Sequence, residues 1–198
     1  PANSEKNPDL WFNTSDILNW LEAIRERYLD SLGFLDPNGN DAIYKHEVVM
    51  NETWSNGDFT GWAFGAAADM TIGGLWIHPG ATRDDGVLGH EFCHGCQTMV
   101  MIDKPGYGLN TPYAGFFWES HANFMSLTYN ETRSGIPERF ILTAMMHYST
   151  TRRHYQNLPF LDYLYDTYGM ETINKIWHNA SPTTSHPLTS LRDSVLRY

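Results

Sequence analysis

The stretch Gly86-Val-Leu-Gly-His-Glu-Phe-Cys-His-Gly-Cys-Gln-Thr-Met-Val-Met101 contains two histidines, His90 and His94, four residues apart. On an α-helix, residues at this spacing lie one turn above each other on the same face. Both imidazole rings can therefore point at a single ion, and Glu91 places a carboxylate beside that point. Two neutral nitrogen ligands with an adjacent base are typical of a hydrolytic zinc site, so the stretch predicts a metal-binding helix.

The composition of the chain argues against several classes of protein. The chain has 198 residues, 41% of them hydrophobic, and a formal net charge of -10 without a basic cluster, which disfavours nucleic acid as a partner. No apolar run approaches the 18 residues that would predict a membrane-spanning helix. The chain opens on Pro1 without a leader, so we expect either a removed signal or an excised domain. The sequence indicates no oligomeric state.

Before the metal-binding helix, the pattern predicts one helix and a β-sheet. An apolar stripe from Ile17 to Leu32 predicts a packing helix, with Thr14 or Ser15 as its N-cap and Gly33 as its stop. Residues 42–51 and 73–79 are predicted strands. Because Pro79 closes the second strand, we expect that strand at a sheet edge, where an extended peptide could pair with it.

From the metal-binding helix onward, the sequence predicts helices. Thr82 or Asp84 is expected to cap the metal-binding helix, which should continue to about Ile102. Later helices are predicted to begin near Gly115, Ile136, Leu158, Met170 and His186, several with Pro in the first turn. We therefore expect an α+β fold in two lobes that form one catalytic unit. Residues 1–102 would form a lobe with a mixed β-sheet and the metal-binding helix, and residues 103–198 a mainly helical lobe.

A second metal-like pattern begins at Asp36. Asp36, Asn38, Asn40 and Glu47 fall at positions 1, 3, 5 and 12 of an EF-hand-like loop, which makes Ca²⁺ a conceivable second ion. Position 6 is Asp41, however, where the sharp turn of an EF-hand needs Gly, and a strand follows in place of a helix. We therefore favour a turn rich in Asp, Asn and Gly over a calcium site.

The segment Phe116-Phe-Trp-Glu-Ser-His-Ala-Asn-Phe-Met125 supplies a carboxylate, Glu119, in a strongly apolar predicted helix. Burying a carboxylate is costly unless it is paired or coordinates a metal, so Glu119 is a candidate third ligand. Asn123 lies one turn further on the same face. Its side-chain oxygen could accept the second ring N–H of a metal-bound histidine and fix the tautomer of that ring.

With these residues the chain resembles zinc metallopeptidases of the gluzincin type. The resemblance implies a zincin-like fold, Zn²⁺ held by His90, His94 and Glu119, and Glu91 as the base that activates zinc-bound water. Gluzincins often have an acid where this chain has Asn123. The longer metzincin motif fits less well, because it needs Gly and His at the positions of Gln97 and Val100.

A closer resemblance is to the secreted Svx/AvrXca-type virulence-associated peptidases. It is carried by residues 86–97, by Phe-Trp-Glu-Ser-His-Ala-Asn-Phe-Met at 117–125, and by Arg-His-Tyr-Gln-Asn-Leu-Pro-Phe-Leu at 153–161. This resemblance implies export from the cell. It also implies activity on extracellular proteins, with cell-wall glycoproteins as one class of substrate.

Peptide hydrolysis also needs a donor for the oxyanion of the tetrahedral intermediate, and losing such a donor typically costs about 3 kcal/mol of barrier. Gluzincins supply it from a Tyr or His of the helical lobe. Tyr155 is our first candidate and His154 the second, with His147 and Tyr148 behind them. Cys93 and Cys96 could form a redox or metal pair, but small buried residues are the favoured interpretation.

Together these features predict a zinc-dependent endopeptidase that hydrolyses extracellular proteins or peptides by Glu91-assisted attack of zinc-bound water. The alternative is a metal-dependent amidase or esterase, or a binding domain that keeps a structural zinc. Loss of peptide cleavage in a Glu91→Gln variant would separate an enzyme from a structural site. The sequence leaves side-chain preference at the cleavage site open.

Overall fold

A computed structural model describes residues 10–36, 38–51, 63–105, 114–130, 136–148, 150, 153–181 and 186–195. Its α-helices are α1 (Thr14–Arg25), α2 (Asp85–Asp103), α3 (Gly115–Asn130), α4 (Ile136–Thr143), α5 (Leu158–Tyr168), α6 (Met170–His178) and α7 (Pro187–Val195). Three strands, β1 (Glu47–Met50), β2 (Ala63–Ala67) and β3 (Gly73–Ile77), form one mixed sheet. Helices packed on a small mixed sheet confirm the predicted α+β class.

The sheet has the order β1-β3-β2, with β3 in the middle. β3 runs parallel to β1 and antiparallel to β2, and Leu75 of β3 is the register partner of both Val48 and Gly65. The prediction that residues 73–79 form an edge strand is therefore wrong. Pro79 lies beyond the end of β3 and opens a 3₁₀ turn, so the missing N–H of the proline is not needed by the hydrogen-bond ladder. Among the described strands, β1 and β2 are the edges of the sheet.

Helix α2 is the centre of the described core. It packs against the sheet on one side, against α3 on another, and against α1. Every residue from Leu88 to Val100 is buried except His90 and Glu91, which are half-buried. The side chain of Asp84 accepts a hydrogen bond from the N–H of Gly86 at 2.9 Å, so Asp84, one of the two predicted caps, begins the helix. A helix buried on so many sides is a rigid base for the side chains that face outward.

Helix α1 continues as one π-helical segment (Glu26–Ser31) and stops at Gly33, whose φ of +62° confirms the predicted stop. Its N-cap is Asn13, whose side chain accepts from the N–H of Ser15 at 3.0 Å, in place of the predicted Thr14 or Ser15. Asparagine caps as well as serine does, and here its carbonyl oxygen reaches the free N–H. Tyr28 donates to the carbonyl of Gly89 at 3.1 Å and so attaches this helix to α2.

The five later helices begin at or within one residue of their predicted starts. Asn174 of α6 donates to the carbonyls of Leu32 and Gly33 at 2.8 and 3.0 Å, so the C-terminal helices pack directly on the N-terminal half. The division into two lobes at residue 102 stays a prediction. Among the described residues, no helix is long and apolar enough to cross a membrane.

Candidate metal centre

His90 and His94 of α2 and Glu119 of α3 meet where the two helices pack against each other. The Nε2 atoms of the two histidines are 3.1 Å apart, and Oε2 of Glu119 lies 3.1 Å from His90 Nε2 and 3.6 Å from His94 Nε2. A tetrahedral zinc ion with bonds of about 2.0–2.1 Å has ligand atoms about 3.3 Å apart. The three atoms therefore have the spacing of one face of a tetrahedral zinc site, and the group could hold a metal ion.

Each histidine is oriented by a hydrogen bond on its other ring nitrogen. Nδ1 of His90 lies 2.8 Å from Oδ1 of Asn123, the partner that the sequence suggested. Nδ1 of His94 lies 2.8 Å from Oε1 of Gln97, one turn further along α2. Because both amide oxygens can only accept, both rings carry a proton on Nδ1, which leaves Nε2 as the nitrogen available to a metal ion.

Behind Gln97 lies a buried polar network that the sequence reasoning missed. The amide nitrogen of Gln97 lies 3.1 Å from Nδ1 of His121 and donates to the carbonyl of Trp118 at 3.1 Å. Cys93 Sγ lies 3.6 Å from the same His121 nitrogen. The sequence contained a feature that could have predicted this network, because His121 is a polar residue in the same apolar helix as Glu119. This network holds the Gln97 amide in the orientation that His94 needs.

The charges of the site stabilise each other. Burial acts to raise the pKa of Glu119, but hydrogen bonds with His90 and His94 and their charges hold it well below its ordinary value. Burial acts to lower the pKa of His94, but the hydrogen bond and charge of Glu119 raise it. Glu119 is therefore ionised at any physiological pH, which is the state a metal ligand requires.

Glu91 lies beside the three ligand atoms and faces the same cleft. Burial raises its pKa, against the opposing effect of the charges on His90 and His94. The backbone N–H of Gly65, in strand β2, faces the Glu91 carboxylate and favours its charged form. Glycine is required there, because a Cβ at residue 65 would overlap the carbonyl oxygen of Glu91. The Glu91 carboxylate, next to the candidate metal position, therefore accepts a proton more readily than an ordinary glutamate does.

Of the candidate oxyanion donors, the structure places Tyr155 at the site. Its ring centroid is 6.0 Å from that of His90, and its side chain is 51% exposed at the mouth of the cleft. Burial of the hydroxyl and the nearby carboxylates of Glu119 and Glu91 raise the pKa of Tyr155 to about 12. His154 does not line the cleft, although its carbonyl accepts from Ser120 at 2.6 Å and so anchors this turn to α3.

The remaining two candidates lie elsewhere. Tyr148 packs edge-on against Phe116 and Phe160, with ring centroids 4.9 and 5.3 Å away, and His147 is an exposed residue outside the cleft. Neither of these two residues lines the cleft. The turn that carries Tyr155 is held to α3 by Asn123, whose amide donates to the Tyr155 carbonyl at 3.3 Å.

The cleft in front of the ligands has a volume of about 400 Å³. Strand β2 forms one wall with Ala63, Phe64, Gly65 and Ala66, and α3 forms another with Trp118 and Glu119. Trp118 stacks on His94 at a ring distance of 6.1 Å. The open side of the metal position therefore faces a groove bounded by a sheet edge and an aromatic ring, large enough for a few residues of a peptide.

Comparison with known proteins places the chain in a family. The family of unknown function DUF6055 matches residues 1–195. The chain belongs to DUF6055. No curated protein and no solved structure matches it. Because the function of DUF6055 is not described, the chemistry of the site carries the functional argument for this member.

Three further features of this DUF6055 member concern residues outside the cleft. Cys93 and Cys96 are free and fully buried, in agreement with the interpretation as small buried residues. His78 follows β3 and caps the 3₁₀ turn after it by accepting from the N–H of Gly80 at 3.0 Å. Glu47, the final position of the EF-hand-like pattern, is exposed on β1 and so is wrongly placed for an EF-hand loop.

Proposed function

We propose that this protein is a zinc-dependent endopeptidase of the gluzincin type that acts on extracellular proteins or peptides. The observation that carries the proposal is the triangle of His90 Nε2, His94 Nε2 and Glu119 Oε2, with edges of 3.1 to 3.6 Å, open toward a groove beside Glu91. Catalytic zinc sites have three protein ligands and one open position, whereas structural sites are closed by four. The arrangement therefore favours catalysis over a structural zinc.

The donor set supports zinc as the ion. Two imidazole nitrogens and one carboxylate oxygen at tetrahedral spacing suit Zn²⁺, whereas Mg²⁺ and Ca²⁺ prefer oxygen ligands only. When bound, zinc would lower the pKa of a water molecule and polarise the carbonyl of the scissile bond. Asn123 and Gln97 fix the two histidine rings, so the ligands need little rearrangement to receive the ion.

Glu91 supplies the proton transfers. Its carboxylate is positioned to take a proton from the attacking water and then to give that proton to the leaving nitrogen of the peptide. Burial raises its pKa, which makes it both a stronger base in the first step and a proton carrier in the second. The N–H of Gly65 faces the carboxylate and favours its charged form before the reaction.

Tyr155 supplies a hydrogen bond to the developing oxyanion. With a pKa raised to about 12, its hydroxyl keeps its proton at physiological pH and can donate it to a negative oxygen. The hydroxyl forms a hydrogen bond with Glu119, and the exposure of Tyr155 allows its side chain to turn toward a bound substrate. The turn beneath it is anchored by Asn123 and Ser120.

Strand β2 gives the substrate a place to bind. In the described part of the chain, β2 pairs with β3 along one side only, so its other side forms a sheet edge at the cleft wall. An extended peptide can add to such an edge as a further strand, which would place its carbonyls in front of Glu91. This geometry suits a peptide better than the short substrates of a simple amidase or esterase.

The test is a pair of variants assayed for metal and for cleavage. Glu91→Gln is expected to bind one zinc ion per chain and to lose about 10²–10⁴-fold in kcat on a peptide library. His90→Ala is expected to lose zinc and activity together. If Glu91→Gln cleaves like the native chain, or the native chain binds no zinc, the proposal is wrong. Ester or amide hydrolysis without any new peptide termini in mass spectrometry would favour the alternative enzyme class.

A further inference from the structure

Two buried carboxylate oxygens on the side of α2 away from the cleft have no partner. Asp41, in the turn before β1, is only 5% exposed, and its Oδ1 atom makes no hydrogen bond. Asp103, the last residue of α2, uses Oδ1 to accept from the N–H of Asn40 at 3.1 Å, while its Oδ2 is buried without a partner. A buried carboxylate oxygen without a partner destabilises the fold, so these two atoms are candidate ligands for a cation.

The two oxygens converge on one place. Both Asp103 Oδ2 and Asp41 Oδ1 lie within 3.0 Å of the point where a Cβ on residue 39 would stand, so both carboxylates pack closely against Gly39. Asp36 contributes further negative charge from the same segment, and its Oδ1 accepts from the N–H of Asn38 at 2.8 Å. Burial, together with the nearby Asp103 and Asp36, raises the pKa of Asp41 to about 6.

The positive charge of Arg25 acts to lower the pKa of Asp41, but it does not offset the effect of burial. Among the ion pairs between described residues, none includes Asp41 or Asp103. Arg25 approaches closely, but its guanidinium donates to the backbone carbonyl of Asp41 at 2.8 Å and makes no ion pair with the carboxylate. The C-terminal end of α2 adds the negative pole of a helix dipole at the same place, which also attracts a cation.

We propose that Asp41 and Asp103 bind a calcium ion, which joins the 38–42 turn to the C-terminal end of α2. The available donors are oxygens only, and Ca²⁺ accepts carboxylate and backbone oxygens in flexible geometry. This site does not depend on the EF-hand pattern, because Glu47 lies on β1 and takes no part. Asp41, which argues against an EF-hand, is the most deeply buried ligand of this site. It is separate from the His90, His94 and Glu119 group in ligands and in chemistry.

The test is a calcium titration of the full chain loaded with zinc, followed by calorimetry and by thermal unfolding. The native chain is expected to bind one Ca²⁺ and to unfold at a higher temperature when Ca²⁺ is present. Asp41→Asn and Asp103→Asn are each expected to weaken Ca²⁺ binding at least tenfold. Asp30→Asn removes the same charge from the exposed end of the first helix and is expected to bind Ca²⁺ like the native chain. Zinc content should be equal in all four proteins.

Thermal unfolding without Ca²⁺ distinguishes a bound ion from a shared proton. Asp41→Asn removes the repulsion between the two carboxylates, so without Ca²⁺ it is expected to be at least as stable as the native chain. With Ca²⁺ the native chain is expected to become the more stable of the two. If the native chain gains no stability from Ca²⁺, or if Asp41→Asn binds Ca²⁺ as tightly as the native chain, the proposal is wrong and the pair holds a proton instead.

Discussion

Asn123 connects a histidine of the candidate site to the turn that carries Tyr155. Asn123 accepts from one histidine ring with its oxygen and donates to the Tyr155 carbonyl with its nitrogen. The side chain of Tyr155 faces the cleft at the other end of the same turn. One amide thus orients a candidate metal ligand and positions the candidate oxyanion donor. Substitution of Asn123 should therefore change zinc affinity, whereas substitution of Tyr155 should change kcat.

Substitution of Tyr155 by Phe tests the oxyanion donor. Tyr155→Phe is expected to lower kcat by about 10²–10³-fold with little change in KM, because the hydroxyl acts on the transition state. Zinc content should not change. Tyr163→Phe, at an exposed tyrosine of α5, is the matched control and should retain full activity. An active Tyr155→Phe together with an inactive His154→Ala would assign the role to His154 instead.

Substitution of Asn123 by Ala tests the orientation of His90. Asn123→Ala is expected to weaken zinc affinity by about 10–100-fold, since a ring without its partner loses its fixed tautomer. Asn123→Asp is expected to retain affinity, because a carboxylate accepts the same N–H. Asn19→Ala, on the exposed face of α1, controls for general effects. Competition with a chelator of known affinity provides the measurement, and unchanged binding by Asn123→Ala would contradict the expectation.

At the scale of elements, the close approach of β2 to α2 brings a sheet edge next to the candidate metal position. A Cβ at residue 65 would overlap the carbonyl oxygen of Glu91 and would come within 2.8 Å of the Cβ of His94. Gly95 allows a second close approach, since a Cβ there would come within 3.0 Å of the His46 ring. Close packing against His46 thus explains Gly95, a poor helix former within α2.

Gly65→Ala is expected to push β2 away from α2. Overpacking of this kind typically costs 1–3 kcal/mol, which corresponds to about 2–4 °C in Tm per kcal/mol for a chain of this size. Activity should fall as well, because the N–H of residue 65 faces Glu91. Gly115→Ala is the matched control: a Cβ there meets nothing within 4 Å, so stability should be unchanged or slightly higher. Equal melting temperatures for the two variants would contradict the packing argument.

At the scale of the whole molecule, His46 lies in the packing between the sheet and α2. Its ring stacks on Phe92 with centroids 4.4 Å apart, and both ring nitrogens are buried without a hydrogen-bond partner. Burial, with a smaller effect of the Arg25 charge, lowers the pKa of His46 to about 4. Protonation of this ring is therefore coupled to unfolding of the sheet from the helix.

This coupling predicts the acid stability of the protein. Because the folded-state pKa is depressed, the unfolded chain takes up the proton first, and stability is lost as pH falls from about 6.5 toward 4. The loss from His46 alone is about 2 kcal/mol at pH 5. His46→Phe should remove this loss of stability, whereas His147→Phe, at an exposed position, should leave it unchanged. Urea unfolding at pH 5 and pH 8 measures the free energy of unfolding, and an equal loss of stability in His46→Phe and in the native chain would contradict the prediction.

Within single elements, the sequence predicted much of what the structure shows. The spacing of His90 and His94 follows from 3.6 residues per turn, and the starts of the later helices follow from proline and capping preferences, which act over a few residues. The apolar surroundings of Glu119 indicated a buried carboxylate. The α+β class followed from the same local patterns. All of these depend on neighbours along the chain.

What the tertiary structure decided is the arrangement between elements. It placed β2, and not β3, at the sheet edge beside the cleft, and it placed Tyr155, but not His154, in the lining of that cleft. It also brought Asp41 next to Asp103, although the two are far apart in sequence. Such distances depend on packing, to which many residues contribute a little each, so no local pattern encodes them. The sequence by itself determined the chemistry available to this protein, and the fold decided which groups meet.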